Sequence, residues 1–245
     1  MNYDIYRFDK IDSTNSHLLK LGEEGFPEGT VVVSDEQTSG RGRLGRSWES
    51  EPQTNLLFSL LLRPHFLQRD EVFILTFAAA VSAARAIEKV AQVQPQLKWP
   101  NDVLLNDRKV CGILLESDFD LNGLNHVVLG IGVNVNQENF SPAISNRAIS
   151  LRQFTGKTFD RDEILFSILS DFSSVYESLQ RHDFYSVMKK WRDRSVMLGE
   201  KISVSVAGNT FNGICDGVTD DGALVLRTDD GLKRFTAGDV SILKA

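Results

Sequence analysis

The chain has 245 residues, a length that allows one sizeable hydrophobic core and a smaller second unit. Hydrophobic residues make up 42% of the chain and charged residues 24%, as in ordinary globular proteins. The formal net charge of −6 disfavours a protein whose main role is to bind nucleic acid.

The N-terminus and the two cysteines favour a cytoplasmic protein. The first residues carry neither the basic nor the apolar segment of a secretory signal peptide, and no apolar run reaches the roughly 18 residues that a membrane span needs. Cys111 and Cys215 lie far apart, each in an apolar, strand-like stretch. We therefore expect reduced thiols, no disulfide framework and a cytoplasmic location.

The first part of the chain is predicted to form strands around one short helix. Residues 12–15 supply several caps for a helix that passes through Leu21 and ends near Gly22 and Gly25. The predicted strands are 3–8, 30–36 and 56–62. Between the last two lies a loop at 40–48, rich in glycine and arginine, which we call the Gly/Arg loop.

The middle of the chain alternates between helical and strand patterns. Phe73, Phe77, Val81 and Ala84 recur at intervals of three and four and predict a helix over 70–93. The next stretch, 97–105, is interrupted by Pro100, and a turn at 106–108 then forms a hairpin. The remaining elements predicted here are strands at 109–116 and 126–136, a loop at 137–157, and helices at about 161–181 and 183–194.

From Leu198 onward the pattern changes to short alternating strands separated by Gly- and Asp-rich turns. The predicted strands are 201–206, 210–215, 223–227 and 233–236. We expect two domains, 1–197 and 198–245, the second a small SH3-like β-barrel. The fold class predicted for the larger domain is α+β, with a mixed, largely antiparallel sheet flanked by helices.

The Gly/Arg loop places Gly40, Gly42 and Gly45 among three arginines, with Trp48 close behind. Bare backbone N–H groups and guanidinium groups both suit phosphate or carboxylate oxygens. A solvated surface loop is the alternative. The glycine spacing matches a dinucleotide fingerprint, but a strand follows instead of a helix and no acidic residue stands about 20 positions on. A phosphate-binding P-loop is excluded because no Gly-Lys-Ser/Thr closes the motif.

Three further stretches carry groups suited to chemistry. Residues 12–15 could bond an amide- or urea-like ligand, or could simply cap a helix. Residues 98–102 combine a cation, an aromatic ring, a turn and a carboxylate, and Lys109 follows the hairpin turn. Gly112 would allow a ligand to approach the strand backbone closely. Residues 130–134 repeat the small-residue pattern on the next strand.

Taken in order, these motifs resemble the biotin–protein ligase family, also called biotin–[acetyl-CoA-carboxylase] ligases. The matching stretches are 13–15, Gln37, 40–48, 98–102, 107–112 and 130–134, with a looser match at 237–241. The resemblance implies a catalytic domain of the class II synthetase and biotin ligase type. It also implies that biotin and ATP form biotinyl-5′-AMP with release of pyrophosphate, and that biotin then passes to a lysine of a biotin carboxyl carrier domain.

The resemblance assigns roles to residues of this sequence. The implied biotin-binding residues are Ser13, Thr14, Asn15, Gln37, Gly40, Arg41, Gly112, Ile113 and Gly130. Those implied to bind ATP and the adenylate are Arg41, Arg43, Arg46, Trp48, Asn101, Lys109 and Asn134. Lys109, Arg43 and Asp102 are the implied catalytic residues, with Asp102 accepting or orienting a proton of the carrier lysine. Mg²⁺ is expected with ATP and held largely by phosphates, with no metal ligand assigned to the protein.

Other expectations concern partners. The matching motif begins at Ser13, which leaves no room for the DNA-binding domain of some relatives, so we expect a monofunctional form that binds neither nucleic acid nor membrane. A monomer and a homodimer both remain open. The 137–150 loop has no tryptophan, so Arg147 is the adenine contact that we name there.

Alternative interpretations remain. The chain could be a lipoate or octanoate ligase of the same fold, or a non-catalytic module whose arginines bind an anionic partner such as RNA. Asp102 could merely pair with Lys98 or Arg108, and Trp48 could be a packing residue.

Overall fold

A computed structural model describes residues 1–120 and 123–243, so the last two residues of the predicted second domain lie outside the described part. Seven strands form the larger sheet, in the order β1-β2-β3-β7-β6-β5-β4. They are β1 (Asp4–Ile11), β2 (Thr30–Gln37), β3 (Leu56–Leu62), β4 (Gln96–Lys98), β5 (Asp102–Leu105), β6 (Arg108–Asp120) and β7 (Gly123–Val133). Only the β1–β2 pair is parallel, so the predicted mixed, largely antiparallel sheet is confirmed.

Helices cover both faces of this sheet. Helix α1 (Thr14–Glu23) packs on β3 and β7, where Leu18 is fully buried. The alanine-rich helix α2 (Ile74–Ala91) packs on the other face, because its small side chains allow close approach to the strands and to two later helices. Those helices are α4 (Arg161–Gln180) and α5 (Phe184–Arg192). The strand β3 is buried along its whole length, as expected for a central strand between two helical layers.

The C-terminal part forms a separate antiparallel sheet with the strand order β11-β10-β9-β8-β12. Its members are β8 (Lys201–Val206), β9 (Asn209–Val218), β10 (Leu224–Thr228), β11 (Gly231–Phe235) and β12 (Asp239–Ile242). The indole N–H of Trp99, beside β4, donates to the carbonyl of Gly222 at 3.0 Å. Buried residues of both sheets belong to one hydrophobic cluster. The C-terminal sheet therefore packs directly on the larger unit.

The predicted elements agree with the structure in type, but the bounds of several differ by a few residues; the strand predicted over 126–136, for example, runs from Gly123 to Val133. The segment 137–157, predicted as a loop, contains the short helix α3 (Leu151–Thr155), which Ser150 caps through its side chain. The strand β12 was not predicted. The strand predicted over 109–116 extends to Asp120.

Both cysteines are free and buried. Within the described part of the chain, no helix is both long enough and apolar enough to cross a membrane.

Candidate active site

A cavity of about 520 Å³ lies between the larger sheet, the Gly/Arg loop and β12. Its walls come from distant parts of the chain, including the start of α1, the strands β5 to β7 and the segment 140–148. The sequence-predicted site residues that line it are Ser13, Thr14, Asn15, Gln37, Arg41, Arg43, Arg46, Trp48, Asn101, Asp102, Lys109, Gly112, Ile113, Gly130 and Asn134. The fold therefore brings almost the whole predicted set together.

Gly40 is the one predicted site residue that does not line the cavity. Its carbonyl accepts a hydrogen bond from the backbone N–H of Trp48 at 2.9 Å. A Cβ atom at this position would lie 2.5 Å from the carbonyl oxygen of Trp48. Gly40 thus allows the two ends of the Gly/Arg loop to approach each other.

The Gly/Arg loop has a defined internal structure. The backbone N–H of Gly42 donates to the carbonyl of Arg46 at 2.7 Å, and residues Arg43–Gly45 form a single 3-10 turn. At its tip Leu44 has a φ of 54° and a side chain that is 72% exposed. The turn directs the neighbouring arginines toward the protein while Leu44 points to solvent.

Each arginine of the loop is held by a different part of the molecule. Arg41 donates to Glu116 at 2.7 Å and to Ser16 at 3.3 Å. Arg46 forms an ion pair with Asp239 on β12. The loop is thereby linked to α1, β6 and the C-terminal sheet.

Arg43 is the most enclosed of the three. It donates to the side-chain oxygen of Asn101 and to the carbonyl of Gly238, both at 3.1 Å. Burial lowers the pKa of its guanidinium, and the nearby Asp239 and Asp102 act in the opposite direction. The group remains a cation at neutral pH, because arginine in proteins does not deprotonate there.

Lys109 and Asp102 form an ion pair with a separation of 2.6 Å inside the cavity. Asp102 lies directly opposite Gly112 in the β5–β6 pairing. A Cβ atom on Gly112 would lie 2.6 Å from Cε of Lys109, so the missing side chain gives Lys109 the room to reach Asp102. Asp102 therefore pairs with Lys109 rather than with Lys98 or Arg108.

The ring of Trp48 rests against two glycines of neighbouring strands. Cβ atoms on Gly112 and Gly132 would lie 2.8 and 2.7 Å from this ring. The amino group of Lys109 lies 5.4 Å from the ring centre, within cation–π range. The indole N–H is buried and has no hydrogen-bond partner among the described residues.

The region beside Gly130 contains uncharged polar groups. The side-chain oxygen of Gln37 accepts from the backbone N–H and the hydroxyl of Thr14, at 2.7 and 3.1 Å. This leaves the amide N–H₂ of Gln37 without a hydrogen-bond partner in the described part of the chain. Ser13 caps α1 by accepting from the N–H of Ser16, and its hydroxyl can still donate. We call Ser13, Thr14 and Gln37 the polar pocket.

Both ends of the Asn15 amide are already bonded within the protein. Its oxygen accepts from Ser59 at 2.6 Å, and its nitrogen donates to Glu116 at 2.9 Å. A Cβ atom on Gly130 would lie only 2.0 Å from the Asn15 oxygen. Asn15 therefore fills the space beside Gly130 and organises the wall more than it offers groups to a ligand.

Two asparagines attach the strands to neighbouring segments. Asn101 donates to the carbonyl of Ile113 at 2.6 Å while it accepts from Arg43. Asn134 donates to the carbonyls of Lys109 and Ile149, both at 3.2 Å. Both side chains therefore hold β6, the strand that carries Lys109, in place against its neighbours.

Sequence reasoning missed several residues of the cavity wall. Phe140 and Ile144 are two of these. Arg147, which the sequence analysis did name, also lines the cavity, and its carbonyl accepts from the N–H of Lys109 at 2.7 Å. Asp239 also lines it, and its place in the motif 237–241 was the only signal available in the sequence. Cys111 is not a candidate nucleophile, because burial raises the pKa of its thiol to about 12.

Comparisons with known proteins agree with this architecture. Residues 7–134, more than half of the chain, match the family described as "Biotin/lipoate A/B protein ligase family". The chain belongs to this family. Residues 197–243 also match the "Biotin protein ligase C terminal domain".

Relatives and solved structures resemble the chain over most of its length. The bifunctional ligase/repressor BirA of Bacillus subtilis is 35% identical over 245 residues, which is 99% of this chain and 75% of that protein. The biotin–[acetyl-CoA-carboxylase] ligase of Paracoccus denitrificans is 35% identical, over 94% of this chain and 97% of that protein. The biotin protein ligase of Aquifex aeolicus, solved in complex with biotin and ATP, has a TM-score of 0.86 and 30% identity, and 99% of each chain is covered.

Proposed function

We propose that the chain is an ATP-dependent biotin–protein ligase, which forms biotinyl-5′-AMP and transfers biotin to a lysine of a carrier domain. The observation that carries this proposal is one continuous cavity with two kinds of wall. The polar pocket lies beside Gly130, and Lys109 with Trp48 lies beside Gly112 and Gly132. Such a cavity suits a ligand with a neutral polar head and an anionic tail.

The polar pocket would bind the ureido ring of biotin. A ureido group has one carbonyl acceptor and two N–H donors. The amide nitrogen of Gln37 and the hydroxyl of Ser13 can donate to that carbonyl, whereas the oxygen of Thr14 can accept an N–H. Arg41 would lie over this end of the ligand, and Ile113 would line the route toward Lys109.

The cations would bring the two anionic substrates together. Biotin carboxylate and the α-phosphate of ATP repel each other in water. Lys109 and Arg43 can bind both and stabilise the charge that builds up as the carboxylate oxygen attacks phosphorus and pyrophosphate leaves. Trp48 would pack against the nucleotide, with Arg46, Asn101 and Asn134 supporting the same region.

Asp102 would serve the second step. An anion beside Lys109 competes with Asp102 for the ammonium group, and this leaves the carboxylate able to accept a hydrogen bond from an incoming carrier lysine. That lysine must lose a proton before its nitrogen can attack the acyl carbon, and AMP then leaves with the bonding electron pair. The proposed role of Asp102 is to take or orient that proton.

Mg²⁺ would enter with ATP. Among the described residues there is no group of three or more His, Cys, Asp or Glu side chains placed to hold a metal. Asp102 and Asp239, which line the cavity, are already paired with Lys109 and Arg46. The donor set therefore fits an ion bound mainly through phosphate oxygens, where it would neutralise charge on the leaving pyrophosphate.

The remaining proposals concern organisation and partners. We propose a division into a catalytic unit at 1–197 and a C-terminal unit at 198–245, action in the cytoplasm, and a biotin carboxyl carrier domain as the acceptor. The oligomeric state, monomer or homodimer, stays a prediction that sedimentation can test.

A pyrophosphate-release assay tests the proposed activity. With ATP and biotin we expect release, followed by labelling of a carrier-domain lysine; lipoate or octanoate in place of biotin should give little. Release with lipoate alone would favour the other branch of the family. If neither acid promoted release and the chain bound RNA, the ligase proposal would be wrong.

A further inference from the structure

Glu116 lies behind the cavity and bonds to two parts of its wall. It occupies the same face of β6 as Gly112 and Leu114, because alternate residues of a strand share a face. Both of those residues line the cavity, whereas Glu116 does not. The side chain is thus placed to act on a bound ligand through its neighbours.

The two oxygens of Glu116 serve different partners. One accepts from the amide of Asn15 at the start of α1, at 2.9 Å. The other accepts from the guanidinium of Arg41 on the Gly/Arg loop, at 2.7 Å. One carboxylate therefore connects a helix and a loop whose linked residues are far apart in sequence.

The orientation of the Asn15 amide requires an acceptor at position 116. Its nitrogen also lies 3.4 Å from the carbonyl of Leu114, which can only accept. Its oxygen receives the hydroxyl of Ser59, a fully buried residue of β3. Because both donors that face Glu116 need an acceptor, only a carboxylate satisfies Asn15 and Arg41 together.

We propose that Glu116 is a positioning residue that fixes Arg41 and the Gly/Arg loop over the polar pocket. A simple exposed ion pair would contribute little, and the Arg41 side chain is 44% exposed. Glu116, however, is already held by Asn15, so Arg41 bonds to an anchored carboxylate instead of a freely rotating one. The identity of the ligand beneath Arg41 rests on the proposed function; the anchoring of the loop does not.

The substitution Glu116→Gln tests this proposal. Glutamine has one oxygen and an N–H₂ group, so it can accept from Asn15 or from Arg41 in this geometry, but not from both. The matched control is Glu88→Gln on α2, which removes the carboxylate of another Arg–Glu pair, with Arg194 at 2.6 Å. Both variants lose one charge and one guanidinium contact, but only one of them touches the Gly/Arg loop.

The first measurement is the rate of tryptic cleavage after Arg41, Arg43 and Arg46 in protein without added biotin. We expect Glu116→Gln to raise this rate by at least about tenfold, because a loop with a weaker anchor opens more often. Glu88→Gln should stay within about twofold of the natural sequence. Equal rates in the two variants would overturn the proposal.

The second measurement separates KM from kcat in pyrophosphate release. We expect the KM for biotin to rise by about tenfold and by more than the KM for ATP, because Arg43 and Arg46 keep their own contacts with Asn101 and Asp239. In an Arg41→Gln background, adding Glu116→Gln should change the KM for biotin less than about twofold. A further tenfold rise there would show that Glu116 does not act through Arg41.

Two outcomes separate this proposal from the proposed function. If the natural sequence releases no pyrophosphate with biotin, the ligase proposal fails, but the cleavage rates still decide whether Glu116 anchors the loop. If Glu116→Gln does not fold, Arg41→Gln replaces it, since this change removes only the loop side of the contact. Faster cleavage after Arg43 and Arg46 would then support the anchor, and an unchanged rate would overturn it.

Discussion

Four of the basic side chains that line the cavity, Arg41, Arg43, Arg46 and Lys109, are paired with carboxylates of the protein. Lys109 pairs with Asp102 at 2.6 Å, and Arg46 pairs with Asp239. These contacts keep like charges from repelling one another while the cavity forms. An anionic ligand must therefore compete with these carboxylates for the cations. This favours ligands whose negative charge lies next to Lys109 or Arg46.

Lys109→Ala should slow formation of the adenylate by at least about tenfold, because a fixed cation aimed at the developing charge is lost. A single-turnover assay with saturating substrates measures this step. The control is Lys10→Ala, which breaks an exposed pair with Glu36 on the edge of the sheet. If Lys109→Ala formed the adenylate as fast as the natural sequence does, the role proposed for this lysine would be excluded.

Arg43→Gln should weaken retention of biotinyl-5′-AMP. A charge-assisted contact of this kind contributes roughly 1.5–3 kcal/mol, so the intermediate should escape and label lysines of bystander proteins. Labelling of a mixed protein sample measures the escape. Arg227→Gln on β10, which removes an exposed partner of Asp216, is the control. Unchanged specificity in Arg43→Gln would contradict the prediction.

At the scale of elements, α1 and β7 pack in a register that places the polar pocket. Asn15 lies against Gly130, and Leu18 and Val128 are buried in one hydrophobic cluster. At the far end, a Cβ atom on Gly22 would lie 2.5 Å from the ring of His126. His126, Val128 and Gly130 share a face of β7, so a disturbance at His126 acts on the helix that begins at the pocket.

His126 makes this packing sensitive to pH. Its side chain is fully buried and neither ring nitrogen has a hydrogen-bond partner among the described residues. Burial lowers its pKa below the ordinary value of 6.5; Asp118 opposes this shift, and Arg63 reinforces it. The unfolded chain then binds more protons than the folded chain. The contribution of neutral His126 to the free energy of unfolding is therefore fully present above pH 6.5 and decreases as the pH falls below that value.

We therefore expect the free energy of unfolding to decrease between pH 7 and pH 5, and expect His126→Leu to reduce this decrease. Urea unfolding at several pH values measures it. The control His65→Leu removes an exposed histidine and should keep the pH dependence of the natural sequence. If the free energy of unfolding depended on pH identically in both variants, groups other than His126 would cause the effect.

At the scale of the whole molecule, the two sheets share one hydrophobic core. Trp99 is fully buried beside the cavity residue Asn101 and bonds to Gly222 of the C-terminal part. Arg192 on α5 donates to the carbonyl of Val218 at 2.9 Å. Because Arg43 and Arg46 also contact residues beside or on β12, the C-terminal sheet closes one side of the cavity.

Trp99→Phe should lower the free energy of unfolding by roughly 1–3 kcal/mol more than Trp191→Phe, because only the first change leaves a buried carbonyl without its donor. Trp191 is equally buried and its indole N–H donates no hydrogen bond within the described part of the chain, so this variant controls for the lost volume. Scanning calorimetry should show one transition for the natural sequence. An equal decrease in the free energy of unfolding in the two variants would show that the Trp99 hydrogen bond adds nothing beyond the lost volume.

Much of this protein could be predicted from local patterns. Alternation, periodicity and turn residues, which act over a few positions, predicted three features: the strand at 56–62, the mixed sheet and the change to short strands after Leu198. The ordered motifs also indicated the family and most of the residues that line the cavity. Side chains that act through charge or through the absence of a Cβ can be recognised by type and spacing alone.

The tertiary structure decided which of these groups meet. Asp102 bonds to Lys109 because strand register places it opposite Gly112, and spacing alone would have allowed Lys98 or Arg108. Glu116 holds Arg41 across 75 positions of sequence, and Asp239 reaches Arg46 across 193. Such contacts depend on how sheets, helices and loops pack, and local sequence does not encode that arrangement residue by residue.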